Sequence, residues 1–291
     1  MTLEEIEKER AQYLNNFYFT LFLIILWIVA GVWVYKNFEH INVWVFIGYL
    51  ILLFVGLKTL HTIPEKFCNE FEYEILKPMF EKNGIVYKPD GSLSEADVQI
   101  SEIVSEYDEI NGRNYINTGL FEMSYFVITK EEEYTETDSD GNETIQTREV
   151  TVFTGWLVKH RFYKNAEHKI TVTDNSFHLS DVLPIFHDNT RVKMDSPEFE
   201  KYFDVYSDDQ IGTRVVLTHN FMDDLVEIRE KFGVDKFVFI GEYVYHPLSL
   251  PDFDYEISLF KKIDENKLDK ILLPFFTANE INKYFKGENE R

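Results

Sequence analysis

FYFTLFLIILWIVAGVWVY, residues 17–35, and INVWVFIGYLILLFVGL, residues 41–57, decide how the chain begins. Neither run holds a charged residue. At 19 and 17 residues they rise roughly 28 and 26 Å as helices, close to the thickness of the bilayer hydrocarbon. Lipid offers no partners to peptide N–H and C=O groups, so such runs cross as helices, and the short link between them makes a hairpin. Trp33, Tyr35 and Trp44 gather at the link end, and Tyr13, Phe17 and Tyr18 at the other, as interfacial aromatics do. The acidic start MTLEEIEKER is unlike a secretory signal. Gly31 with Gly48, and Thr20 with Gly56, lie at matched depths, where small residues let two helices approach closely. The same faces are open to a homo-oligomer.

Charge sets the orientation and narrows the partners. Lys8, Arg10, Lys58 and Lys66 flank the outer ends of the hairpin and Lys36 alone sits in the link, so the positive-inside rule places both termini in the cytoplasm. The chain carries −22 in 291 residues, nearly all of it after residue 60. A body so acidic repels phosphate, which argues against nucleic acid and suits either simple solubility or a basic partner. One cysteine, Cys68, excludes an intramolecular disulfide.

Beyond the spans, Pro64 is expected to open a stalk helix, with Phe67, Phe71 and Ile75 as its apolar stripe and Asn83-Gly84 as its stop. Ser94 and Asp97 stand near capping-box spacing for a second helix. Residues 123–133 (MSYFVITKEEE) and 147–163 (TREVTVFTGWLVKHRFY) read as strands joined through a hairpin at Asp140-Gly141. Strands are expected again at 169–173 and 191–194, and a strand or hairpin at 236–245. Thr218 caps a helix over 219–231 with Phe221, Leu225 and Ile228 inward, and Gly233 closes it. Thr277 to Glu280 reads as the capping box of a last helix. The layout is therefore α+β: an N-terminal segment and transmembrane hairpin over 1–60, a stalk helix over 61–84, and over 85–291 a cytoplasmic domain with an antiparallel or mixed sheet and flanking helices.

No chemistry-bearing constellation emerges. The tip at Asp138, Asp140 and Asn142 has Glu143 where a calcium loop needs glycine, so a turn is the better reading. His160, His168, His178, His187, His219 and His246 have no zinc-protease spacing, and there is no glycine-rich phosphate loop or nucleophile elbow. No cofactor and no catalytic or metal residue is assigned. A basic island, Lys159, Arg161, Lys164 and Lys169, stands out in the acidic body, either as the solvent face of a strand or facing anionic lipid or an acidic partner.

Residues 192–233, VKMDSPEFEKYFDVYSDDQIGTRVVLTHNFMDDLVEIREKFG, resemble the hallmark of a bacterial membrane-protein family called domain of unknown function 3137. The matching pieces are PEFEKYF at 197–203, VYSDDQ at 205–210, RVVLT at 214–218 read as an arginine-bearing strand, and Phe221-Met222. The VFTGWL stretch at 152–157 and the double span look like its other recurrent parts. Here His219 stands where the family often has proline, and Gly212 replaces a larger residue. The resemblance implies a bacterial inner-membrane protein and suggests a LemA-like partner. Within the motif, Phe203 and Tyr206 are expected as apolar anchors, and Asp208, Asp209 and Arg214 as a charge pair from a turn to a strand. The function expected is a non-enzymatic adaptor or scaffold, with a tethered ligand sensor second and an enzyme third.

Overall fold

The computed structural model describes residues 3–37, 43–137, 143–175, 190–250 and 257–286. It divides into two compact units, one of Met1–Met79 with Asp254–Ile271, the other of Phe80–Phe253 with Leu272–Arg291. The expected tip at Asp138, Asp140 and Asn142, like His178 and His187, lies outside the described residues.

In the first unit the apolar runs extend into two long helices, α1 (Leu3–Asn37) and α2 (Val43–Glu70). Both are long and apolar enough to cross a membrane: the apolar stretches reach mean hydropathies of 2.4 and 2.1 over 18 residues, of which 6% and 0% are buried. They form a hairpin. The Trp27 and Tyr49 rings stack with centroids 5.4 Å apart, and the Tyr49 hydroxyl donates to the Trp27 carbonyl at 3.3 Å. Gly31 lies directly beneath that ring: a Cβ there would come within 2.4 Å of the Tyr49 hydroxyl. A Cβ on Gly56 would touch Ile24 at 3.2 Å, while Gly48 faces open space and Thr20 is half-buried. The contact thus pairs a glycine on one helix with a larger side chain on the other. Gly31→Leu is expected to loosen the hairpin by about 1–3 kcal/mol, read as a lower midpoint on unfolding in detergent. At the foot of the hairpin Arg10 donates to the Leu259 carbonyl at 2.9 Å, the Ile263 N–H donates to Glu7 at 2.7 Å, and the Cys68 thiol donates to the Ile257 carbonyl.

Two expectations change here. Pro64 does not open a helix but sits inside α2, which gives up one backbone bond and continues. The helical path then passes through a π-helical turn, Phe71–Leu76, before α3 (Lys77–Glu81). The wider turn inserts one residue into the apolar stripe. Ile63, Phe67 and Phe71 are buried at spacings of four, and the next buried apolar residue is Leu76, not Ile75.

The second unit is built on an antiparallel seven-stranded sheet ordered β1-β2-β3-β4-β6-β5, with β7 also paired to β4. The strands are β1 (Val86–Lys88), β2 (Glu109–Asn117), β3 (Phe121–Thr137), β4 (Glu143–Asp174), β5 (Thr190–Arg191), β6 (Phe203–Ser207) and β7 (Lys236–Leu248). β4 is the spine. Its start pairs with β3 through Glu143↔Thr137 to His160↔Phe121, and its later part with β7 from Trp156↔Leu248 to Thr173↔Lys236. The register between β4 and β7 slips twice, between Arg161 and Ala166 and between Ala166 and Ile170. Such bulges bend a sheet.

Each face of the bent sheet is covered. On one side α4 (Glu95–Ser101) buries Val98 with Leu93 against Phe126, Ile128, Leu157, Val238 and Tyr245. The helix is fixed by a full capping box between Ser94 and Asp97. Elsewhere an aromatic core joins Phe162, Phe221, Phe237, Phe239 and Phe285, with Phe221 supplied by α6 (His219–Phe232) and Phe285 by the chain after α7 (Glu265–Ile281). Gly233 ends α6 at φ 70°, as its sequence foretold. The last helix corrects the reading at Thr277, which is interior: α7 is capped by Asp264, whose carboxylate accepts from the Lys267 N–H at 2.9 Å, and it runs through Pro274.

Candidate functional site

The hallmark segment is structural in its local geometry. β6 is buried along its whole length, so Phe203 and Tyr206 are inside, with Phe203 against Phe199 and Phe237 at 5.2 and 6.0 Å. RVVLT is not a strand. Residues 214–216 belong to a helix, α5 (Gln210–Val216), because Asp209 accepts from the Ile211 and Gly212 N–H groups, both at 3.0 Å, and so starts it. Gly212 makes room for that cap, since a Cβ there would fall 2.2 Å from the carboxylate. Asp208, Asp209 and Arg214 do not pair with one another. Asp208 faces His168 at 3.1 Å, and Arg214 donates to the Lys193 carbonyl at 2.8 Å. α5 leaves Ile211 and Val215 exposed, an apolar pair that the strand reading hid.

The basic island holds elements together. Lys159 pairs with Asp97 at 2.9 Å and lies over the Tyr243 ring at 4.6 Å. Lys169 pairs with Glu102 at 2.5 Å. Lys164 donates to the Val215 and Val216 carbonyls at 3.2 and 2.8 Å, at the negative end of α5. Arg161 is exposed. The island therefore serves two ends of α4 and one end of α5, and only Arg161 is presented outward.

The C-terminal clamp of α4 opens onto a cleft of about 670 Å³ lined by Glu102, Glu106, Lys130, Asp174, Asp235 and Lys236, among others. Glu102 sits in the left-handed region at φ 50°, an uncommon place for a residue of its kind and one that concentrates at functional sites. Its carboxylate takes Lys169 and the Thr171 hydroxyl, and its carbonyl takes the Lys236 ammonium. Burial lowers Lys236 to about 8, and burial likewise raises Asp235. Perturbed groups meeting in a cleft mark a candidate binding site. Because Lys236 folds with its proton affinity reduced, the unfolded chain holds more protons between about pH 8 and 10.5, and folding stability rises with pH across that window. Lys236→Met is expected to remove that rise, checked by denaturant midpoints at pH 8 and 10.

A second buried polar cluster was invisible to spacing. His160 and His246 are fully buried, their rings nearly parallel at 11° with Nε2 to Nε2 at 3.0 Å. His246 Nδ1 donates to the Pro247 carbonyl at 3.0 Å, and His160 Nδ1 faces the Asn282 side-chain amide at 3.0 Å. Phe121, Phe237 and Phe285 surround the pair. Burial, then its neighbour's charge, drives His160 well down, and burial lowers His246 to about 4. With His246 Nδ1 carrying hydrogen, the neutral pair needs His160 Nε2–H to donate to His246. His160 Nδ1 then accepts, which requires the Asn282 amide to be turned so that its nitrogen rather than the Oδ1 placed 3.0 Å away faces the ring; one added proton would let that Oδ1 accept instead. Among the described residues no group of three or more His, Cys, Asp or Glu is placed to hold a metal ion.

No curated protein matches the chain. Among solved structures, the mycobacterial trehalose monomycolate transport factor A, TtfA, aligns over 72% of this chain and 92% of its own at 8% identity, with a TM-score of 0.37; a likeness at that level carries no argument. Residues 151–287 match the model of the family described as Protein of unknown function (DUF3137). That match takes in the later part of β4, the whole hallmark segment and α7, and over those residues the chain is similar to this family.

Proposed function

We propose that the protein is anchored in the bacterial inner membrane by α1 and α2, with both termini cytoplasmic, and that its sheet unit is a non-enzymatic adaptor or scaffold for a protein partner. The exposed apolar surfaces of both helices support the anchor. One observation supports the adaptor above others. Beyond Thr129 and Thr151, β3 and β4 run on as a two-stranded ribbon that leaves the sheet. Such a ribbon adds little stability in water, so its length asks for a use outside the fold.

The test is photo-crosslinking in native membranes from Tyr134 and Ile145, both exposed on the ribbon. A reproducible protein crosslink, a LemA-like protein among the species to look for, is the expected result; no crosslink from the ribbon or from the rest of the sheet unit would overturn the adaptor. An active periplasmic reporter at the C-terminus would overturn the orientation. A tethered ligand sensor is the second reading, favoured by the cleft at Glu102 and Lys236, and a small molecule retained there in native mass spectrometry would promote it.

A further inference from the structure

The two edges of the ribbon differ. At its base the β3 edge is closed, because the Asp108 N–H donates to the Thr129 carbonyl at 3.0 Å and the Asp108 carboxylate accepts from the Glu131 N–H at 2.7 Å. The β4 edge has no such cover among the described residues. β7 ends at Leu248 opposite Trp156, and residues 143–155 of β4 continue past it, paired only with β3. Proteins usually blunt open edges with lysine, proline or a covering segment. The sequence ETIQTREVTVFTG at 143–155 has neither lysine nor proline and is rich in threonine, valine and isoleucine, the residues of a strand ready to pair.

Charge then selects the occupant. One face of the ribbon is internally satisfied: Glu132 pairs with Arg148 at 3.2 Å, and Arg148 lies over the Tyr134 ring. The other face sets Glu131 directly opposite Glu149, with Glu133 next along β3 on the same face. Like charges opposite each other destabilise a strand pair, and none of these three has a cation partner among the described residues. A second copy of this chain would bring the same carboxylates to the same edge, and an anionic lipid surface would be repelled.

We infer that residues 143–155 of β4 are a docking edge for a basic extended segment of a partner protein, which adds to the sheet in line with β7 and sets alternate lysines or arginines on the Glu149 and Glu131 face. Backbone bonds supply the pairing, and the carboxylates supply the preference for positive charge. This deepens the adaptor reading and rests on it.

The test uses the full chain in nanodiscs of neutral lipid and a peptide of about eight residues alternating lysine with valine and threonine, followed by fluorescence anisotropy. Saturable binding is expected, weakened about tenfold by Glu131→Lys with Glu149→Lys and absent for the peptide carrying glutamate in place of lysine. N-methylation of alternate peptide amides should abolish binding in one phase and spare it in the other, since only one set faces β4. Failure of the basic peptide to bind, or equal tolerance of both methylation phases, overturns the inference. If that happens while the ribbon still crosslinks a protein in membranes, the adaptor reading stands and only the partner's chemistry is wrong.

Discussion

Asp97→Ala lowers the stability of the sheet unit by about 3–4 kcal/mol in denaturant unfolding, most of it from a broken, largely buried ion pair and the rest from the lost N3 half of a capping box. The carboxylate has four partners. It accepts from the Ser94 N–H at 3.1 Å and hydroxyl at 2.6 Å, from Lys159 at 2.9 Å and from the Tyr245 hydroxyl at 3.0 Å. Removing it takes away the N3 half of the capping box, though the Ser94 hydroxyl still accepts from the backbone N–H of residue 97, and strands an ammonium only 16% exposed. Burial alone would raise Asp97, but the bonds from Ser94 and Lys159 outweigh it and hold the carboxyl below its ordinary range; burial alone would lower Lys159, yet Asp97 holds it up at about 12. Asp97→Asn keeps the cap and loses the charge, so it should cost about half as much. In a double-mutant cycle with Lys159→Met the two losses should be non-additive by more than about 1 kcal/mol. A loss below about 1 kcal/mol for Asp97→Ala, or strict additivity, would show that the clamp does not hold α4.

What the sequence made legible follows from the range of the physics involved. The hairpin, the capping box at Ser94, the ladder of β3 and β4 and the glycine stop at Gly233 are local patterns, and they appear in the fold where they were read. The errors share a cause. Pro64 was read as the start of one helix and Thr277 as the cap of another, yet both lie inside helices, and at Pro64 one missing N–H did not break the helix. RVVLT has strand composition, but Asp209 supplies an N-cap just before it, and the cap with one buried face at Thr213 and Val216 decided for helix. The π turn at Phe71 shifted the stripe by one residue, which no period of 3.6 can anticipate. The partners of the basic island are a matter of topology. Lys159 meets an aspartate 62 residues away and His160 a histidine 86 residues away, distances over which spacing in the sequence says nothing.

The His160 and His246 pair makes the sheet unit acid-sensitive in a window of its own. Unfolded, a histidine takes up a proton near pH 6.5; folded, His246 resists until about 4 because burial disfavours the charge. Between those values the unfolded chain binds more protons, so stability falls as pH falls, by about 3 kcal/mol from this residue, with His160 acting in the same direction. The groups facing the rings from β3, β7 and the chain after α7 are Phe121, Phe237, Phe285 and the neutral Asn282, none of which titrates. Asp97 acts in a separate range. Its contribution is present above the ordinary carboxylate value of 3.8 and is lost only as pH falls through its lower folded value, so the two losses should appear as two steps. His246→Leu should lower stability at pH 7, since it leaves His160 Nε2 without its partner, yet flatten the slope between pH 6.5 and 4 while leaving the lower step in place. A flat wild-type profile over that window, or an unchanged slope in the variant, would assign the acid sensitivity elsewhere. Nitrogen NMR of the rings adds an independent readout: above pH 7 both should be neutral, with His246 protonated at Nδ1 and His160 at Nε2, the tautomers that the Pro247 carbonyl dictates.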